Sequence, residues 1–212
     1  AVSIVALRIS NAAGELLAEI GTIGDTHCEP HCQLPGTKQE ANETVDESFQ
    51  RLIESNLGSL LADKAVVHDV VEEEMTEMES KAYDIRTRYL RMVRLAAFKA
   101  GESIEAPVVH YRRTGDQSEP ISVASTRRNS LLPIQFSMTS FTSRQSVGSA
   151  PSESDFPRRP VWAVSRAQLG QWTCYAWLSP EEFAFFTSGG LRGEANLRQW
   201  LTSLQPPDIL HC

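Results

Sequence analysis

Apolar and polar positions set the first elements. Val2, Ile4, Val5, Leu7 and Ile9 form a β-rich run, Asn11 to Gly14 supply turn residues, and Leu16, Leu17 and Ile20 follow. An opening β-hairpin is expected, then a loop rich in Gly, His and Cys. Thr44 and Glu47 have capping-box spacing, and Val45, Phe49, Leu52, Ile53, Leu57 and Leu60 recur at helical intervals, which predicts an α-helix over residues 45–61. Residues 83–98 fit two templates. Tyr89, Met92, Val93 and Ala96 suit a helix, while the β-branched and aromatic content nearby suits a strand. Residues 103–111, with Ile104, Val108 and Val109, read as a further strand.

Order returns at 161–164 and 172–177. Ser179 then has the character of an N-cap, with Pro180 in the first helical position, Glu182 completing a capping box and Leu178 placed to staple onto Phe183. Gly189 and Gly190 should end that helix. A last amphipathic helix carries Leu197, Trp200, Leu201 and Leu204 on one side and stops at Pro206 and Pro207.

Between the two ordered parts the composition changes. Residues 113–160 are rich in Ser, Thr, Pro, Gly and Arg without sustained periodicity, and are expected to be a mobile insertion. Neither flank alone supplies a full set of strands and helices, so residues 1–112 and 161–212 are expected to build one domain. The 212-residue length and 41% hydrophobic content suit that reading.

A net charge of −7 lacks the positive field that nonspecific binding to nucleic acid or anionic membrane uses. No apolar run is long enough to cross a bilayer, and the N-terminus has no basic region followed by a signal-type core. An intracellular, soluble, cytoplasmic protein is the expectation, with its four cysteines reduced. Because the chain opens on Ala1 and at once enters a strand pattern, it reads as a domain cut from a longer protein.

Pro35-Gly36-Thr37-Lys38-Gln39-Glu40-Ala41-Asn42-Glu43, followed by a capped helix with Arg51 and then Gly58, resembles the box of the Nudix (MutT-like) hydrolase superfamily, G-x5-E-x7-R-E-U-x-E-E-x-G-U with U aliphatic. With Thr37 at the first Gly position, Glu43 falls on the first Glu, Arg51 on the Arg, Ile53 on the aliphatic site and Gly58 on the final Gly. The stretch from Tyr175 to Glu182 is similar to the late strand-to-helix step of many such proteins. The resemblance covers roughly the first sixty and the last forty residues. It implies an α/β (α+β) fold, a mixed sheet flanked by helices, with the insertion as an excursion.

The family's reaction is hydrolysis of a nucleoside diphosphate linked to another group, with Mg²⁺ held mainly by glutamates of this helix. Hard Mg²⁺ takes carboxylate oxygens, and i, i+3, i+4 spacing sets three of them on one α-helical face. Here those three positions are Leu52, Ser55 and Asn56, none of them anionic. Glu54 lies between them, but neighbouring residues stand about 100° apart around an α-helix, which turns it away. The resemblance therefore implies a degenerate box without catalytic residues, in a module that binds a nucleotide-type ligand or a protein. Gly36, Thr37, Lys38, Glu43, Arg51 and Glu54 are the ligand-binding candidates. Glu43 and Arg51 are equally explained as a pair bracing loop against helix. The alternatives are a divergent hydrolase that recruits Mg²⁺ through Glu40, Glu43, Glu54 or the acidic run Glu72, Glu73, Glu74, Glu77 and Glu79, and a scaffold unrelated to the family.

Three further features carry candidate chemistry. His27, Cys28, His31 and Cys32 are soft-metal ligand types, although a closed zinc site needs a second pair from elsewhere, and a polar loop with partly buried cysteines is the plainer reading. Arg127-Arg128-Asn129-Ser130 has a basic-directed phosphorylation pattern at Ser130. The aromatics Trp162, Trp172, Tyr175, Trp177, Phe183, Phe185 and Phe186 could stack a base, but core packing is their ordinary use.

Overall fold

In the computed structural model, Asn11 closes the first turn: its Oδ1 accepts hydrogen bonds from the N–H groups of Ala13 and Glu15, each at 3.0 Å. Gly14 completes the reversal at φ +79°. The turn joins β1 (Val2–Ser10) to β2 (Leu16–Gly24), paired antiparallel from Ser10 and Leu16. The structure describes residues 2–24, 28–61, 63–80, 85–112, 159–166 and 170–205. The expected insertion lies almost wholly outside them, as do His27, Ser130, Pro206 and Pro207.

Two units interleave along the chain. The first comprises Ala1–Ala18, Leu34–Ala106 and Trp177–Pro180; the second comprises Glu19–Gln33, Pro107–Ala176 and Glu181–Cys212. Each takes segments from both sides of residues 113–158. In the first, β4 (Gly36–Lys38) pairs antiparallel with β1. Helix α1 (Val45–Arg51), a π-helical turn (Leu52–Leu57) and α2 (Gly58–Leu61) come next, then β5 (Ala65–Ser80) and β6 (Ile85–Phe98). Strand β5 is antiparallel to β6, and β6 is parallel to β1, giving the order β5-β6-β1-β2 and a mixed sheet. The α/β class with a mixed sheet is thus observed.

In the second unit β3 (Cys28–Gln33) pairs with β2, and β7 (Val161–Arg166) pairs antiparallel with β8 (Gln171–Leu178), in the order β2-β8-β7. Helices α3 (Pro180–Ser188) and α4 (Gly190–Thr202) close the chain and meet at Gly189 and Gly190, the latter at φ +55°. Gly193, Leu197, Trp200 and Leu201 form the buried side of α4, with Leu204 beyond it.

The expected boundaries of the box helix hold, but its middle is not α-helical. Leu52 and Leu57 are five positions apart, which in an α-helix sets them about 140° apart around the axis. Both are nevertheless buried, as are Phe49, Leu60 and Leu61. The i→i+5 register of the π turn spans these two leucines and widens the helix there.

Other expectations are corrected. The Gly, His and Cys loop is largely strand β3. Residues 83–98 resolve as a strand, β6, from Ile85 onward. Residues 103–111 make no strand, only isolated bridges from Val108 to Trp162 and Tyr111 to Leu204, because Pro107 has no N–H to offer a ladder. Strand β5 was hidden by its glutamates, which strands disfavour. Three of the five stand in register with arginines of β6, Glu74 with Arg91, Glu77 with Arg88 and Glu79 with Arg86.

The flanks of residues 113–158 are fixed side by side. Val109 N–H donates to Val161 O at 2.7 Å. The Tyr111 hydroxyl donates to Arg159 O at 2.9 Å and accepts from Trp200 Nε1 at 3.0 Å. With both ends anchored, replacing 113–158 by a short Gly/Ser linker is expected to preserve cooperative unfolding. Each halving of a loop changes closure entropy by only about 0.6 kcal/mol. A thermal melt checks this, and loss of a cooperative transition would show that the segment belongs to a core.

Candidate functional site

Gly36 begins the site because β4 runs hard against β1: a Cβ there would meet Val5 O at 2.8 Å and Ala6 Cβ at 3.3 Å. Its role is close backbone approach. From β4 the chain turns through Asn42 at φ +69° to Glu43, then enters α1 through a complete capping box, in which Glu47 N–H donates to Thr44 Oγ1 and Thr44 N–H to Glu47 Oε2.

Arg51 ends α1 and reaches back over this loop. Its Nε donates to Glu43 Oε1 at 2.7 Å and its Nη2 to Glu43 Oε2 at 2.8 Å, a two-pronged pair. Nη2 also donates to Lys38 O at 2.8 Å and Nη1 to Thr37 Oγ1 at 3.2 Å, with Glu40 Oε1 at 3.6 Å. Glu43 Oε2 further accepts from Ser48 Oγ at 2.7 Å and from Glu40 N–H at 2.9 Å. The Arg51 hydrogen bonds, then that from the Glu40 backbone, hold the Glu43 carboxyl down at about 2. Glu43 is therefore an anion at neutral pH, and both its oxygens are occupied.

Gly36, Thr37, Lys38, Glu43 and Arg51 are thus brought together, but Thr37, Glu43 and Arg51 are engaged with one another. Lys38 is exposed, with its backbone carbonyl held by Arg51. Glu54 stands apart, exposed and hydrogen-bonded by Gln50 at 2.6 Å. Of the three family ligand positions, Leu52 is buried, Ser55 exposed and Asn56 half-buried, so the π turn does not present them as the single face an α-helix would. Gly58 does not end the helix. A Cβ there would meet only Ile53 O, at an ordinary 3.6 Å. The Ser48 contact was not legible in the motif, because the family pattern leaves that position free.

Among the described residues, the three positions where the family would hold magnesium, Leu52, Ser55 and Asn56, offer no carboxylate to the ion. Glu72 and Glu74 of the acidic run lie by Arg8, at 2.9 and 3.6 Å, and Glu74 also by Arg91 at 3.5 Å. Among the described residues no three His, Cys, Asp or Glu side chains gather closely enough to hold a metal.

The soft-ligand cluster is pulled apart by its strand. Cys28 and Cys32, four residues apart in β3, have Cα atoms separated by about 13 Å. Two sulfurs on one zinc stand at most about 4.6 Å apart. Buried His31 instead pairs through Nε2 with buried Glu19 at 2.7 Å. Burial pushes the Cys28, Cys32 and Cys174 thiols up, away from the thiolate a metal requires. The aromatics are used in packing: Trp162, Trp172, Tyr175, Phe183 and Phe186 are buried, and Phe98 meets Trp177 edge-on at 5.7 Å.

No family model and no curated relative matches the chain. It is similar to solved Nudix-type structures. A MutT protein from Methanosarcina mazei is 17% identical over 48% of this chain and 67% of that one, with a TM-score of 0.33. An Ap4A hydrolase from C. elegans is 17% identical over 48% and 72%, TM-score 0.34. A Nudix hydrolase from M. smegmatis is 18% identical over 50% and 66%, TM-score 0.32. At that level of likeness, what those proteins act on says nothing of this chain. No helix of the described residues is long and apolar enough to cross a membrane.

The Glu43 pair makes a pH prediction. A carboxyl held below its ordinary value of 4.5 contributes stability that is fully present above that value and is lost as pH falls toward about 2. Glu43→Gln should lower the melting temperature at pH 7 and flatten its fall between roughly pH 4.5 and pH 2. An unchanged profile in a pH series of thermal melts would show that the pair does not brace the fold.

Proposed function

We propose that this chain is a Nudix-type module that binds without catalysing, its box retained as a structural brace. The observation that carries the reading is the mutual engagement of Glu43 and Arg51, beside a helical turn in which Leu52 is buried and Ser55 and Asn56 offer no charge. Magnesium-assisted attack on a diphosphate requires the metal to neutralise charge on the phosphate oxygens, worth several kcal/mol. Each 1.36 kcal/mol is tenfold in rate, so a box without the cluster is about a thousandfold slower or more.

The ligand is a nucleotide-type molecule or a protein surface, and charge favours the protein. The box contains two cations, Lys38 and Arg51. Arg51 is committed to Glu43, and Lys38 is followed closely by Glu40, so a free diphosphate meets little net positive charge. The divergent-hydrolase alternative gains no support, since Glu40, Glu43, Glu54 and the acidic run do not converge among the described residues.

Two measurements test this. The full chain with Mg²⁺ and nucleoside-diphosphate substrates is expected to show no enzyme-like turnover; robust turnover abolished by Glu54→Gln would overturn the proposal. A thermal-shift panel of nucleotide sugars, dinucleotides and ADP-ribose separates the ligand classes. A ligand at a hundred times its Kd adds about 2.7 kcal/mol, a shift of roughly 5–10 °C for a chain of this size.

Restoring the family glutamates should also fail unevenly. Ser55→Glu is expected to change stability by less than about 0.5 kcal/mol, because the position is exposed. Leu52→Glu places a carboxylate in the core and is expected to cost about 3 kcal/mol or more. Denaturant melts of the two variants check this, and equal stability would show that position 52 is open to solvent.

A further inference from the structure

The sheet edge formed by β5 is independent of the box. Among the described residues β5 ends the strand order and pairs only with β6, so its outer edge carries unpaired N–H and C=O groups along a 16-residue strand. Exposed large apolar residues collect there. Of the five among the described residues, Val66, Val70 and Met75 lie on β5, with Met75 at 71% exposure. The strand carries Asp69 and five glutamates and no Lys or Arg.

Its outer part has a definite pattern. A bulge between Val67 and Val71 sets His68, Asp69 and Val70 outside the β6 register, and regular pairing resumes from Val71. From there, alternation sets Glu72 and Glu74 on one face, both beside Arg8, and Val71, Glu73 and Met75 on the other.

We propose that the outer edge of β5, from Val71 onward, is a docking site for an extended, basic segment of another protein, which adds to the sheet as a further strand. Main-chain hydrogen bonds to the free edge supply affinity, and side chains set the choice of partner. Lys or Arg on one face of the partner strand would meet the exposed Glu73 and lay their alkyl stems along Val71 and Met75, while Glu72 and Glu74 on the other face, already held by Arg8 and Arg91, leave that side to apolar residues. A second copy of this chain does not meet that requirement, because β5 against β5 confronts glutamate with glutamate, and like charges on paired strands repel.

The test uses the full chain and three labelled ten-residue peptides followed by fluorescence anisotropy: alternating Lys and Val, alternating Glu and Val, and the Lys/Val peptide with two central valines replaced by proline. Binding of the Lys/Val peptide is expected, at least tenfold tighter than the proline-interrupted peptide of equal charge, with none by the Glu/Val peptide. Glu73→Lys should weaken it at least tenfold without lowering the melting temperature. Equal binding of both cationic peptides would reduce the effect to unspecific charge attraction and overturn the proposal. So would no binding, which would leave the glutamates as a guard against edge pairing. A dimer in sedimentation equilibrium that the Lys/Val peptide does not dissociate would assign the edge to a second copy and overturn it equally.

Discussion

Arg51 ties together three stretches of the first unit: the end of α1, the strand β4, and the turn that carries Glu43. A guanidinium is suited to this because its planar fork offers several donors in fixed directions, two of them matched to one carboxylate. Position 37 supplies a hydroxyl acceptor, position 38 a carbonyl and position 43 both oxygens. Strand β4 is in turn pinned to β1 by the backbone approach that Gly36 permits. The helix is therefore held at its start by the Thr44 capping box and at its seventh residue by the arginine.

Past that brace the helix buries Phe49, Leu52, Leu57, Leu60 and Leu61 on one side. The stretch Leu52–Leu57 within it is π-helical, wider than the α-helical turns on either side. Arg94 adds a tie from the sheet, its guanidinium lying 4.5 Å from the centre of the Phe49 ring and hydrogen-bonded to Asp46. Packing thus decides which residues of the box face inward, and it places Leu52 there.

What could be read from the sequence follows from how local each signal is. The hairpin, the capping box, the start of α3 and the glycines between α3 and α4 are specified by neighbouring residues, and all four places were legible. The spacing of Glu43 to Arg51 was legible too, as was their capacity to form a brace. Strand β5 was not, because strands disfavour glutamate, and the arginines in register with Glu74, Glu77 and Glu79 belong to another segment. Ser48 and the Glu40 N–H, which complete the shell around Glu43, were invisible for the same reason. The π turn was not legible, because Phe49, Leu52, Leu57 and Leu60 fit an α-helical face as they stand.

Spacing and chemistry are separable in this box, and the separation bears on what the site can hold. The eight-residue interval between Glu43 and Arg51 is required by the brace alone, since the loop must return to the end of α1 for the two side chains to meet. A metal cluster imposes a different demand, that carboxylates project together from one helical face. Here that face is interrupted by a widened turn, and one of its positions is turned into the core. The brace is complete without a metal, and Leu52, Ser55 and Asn56 carry no carboxylate.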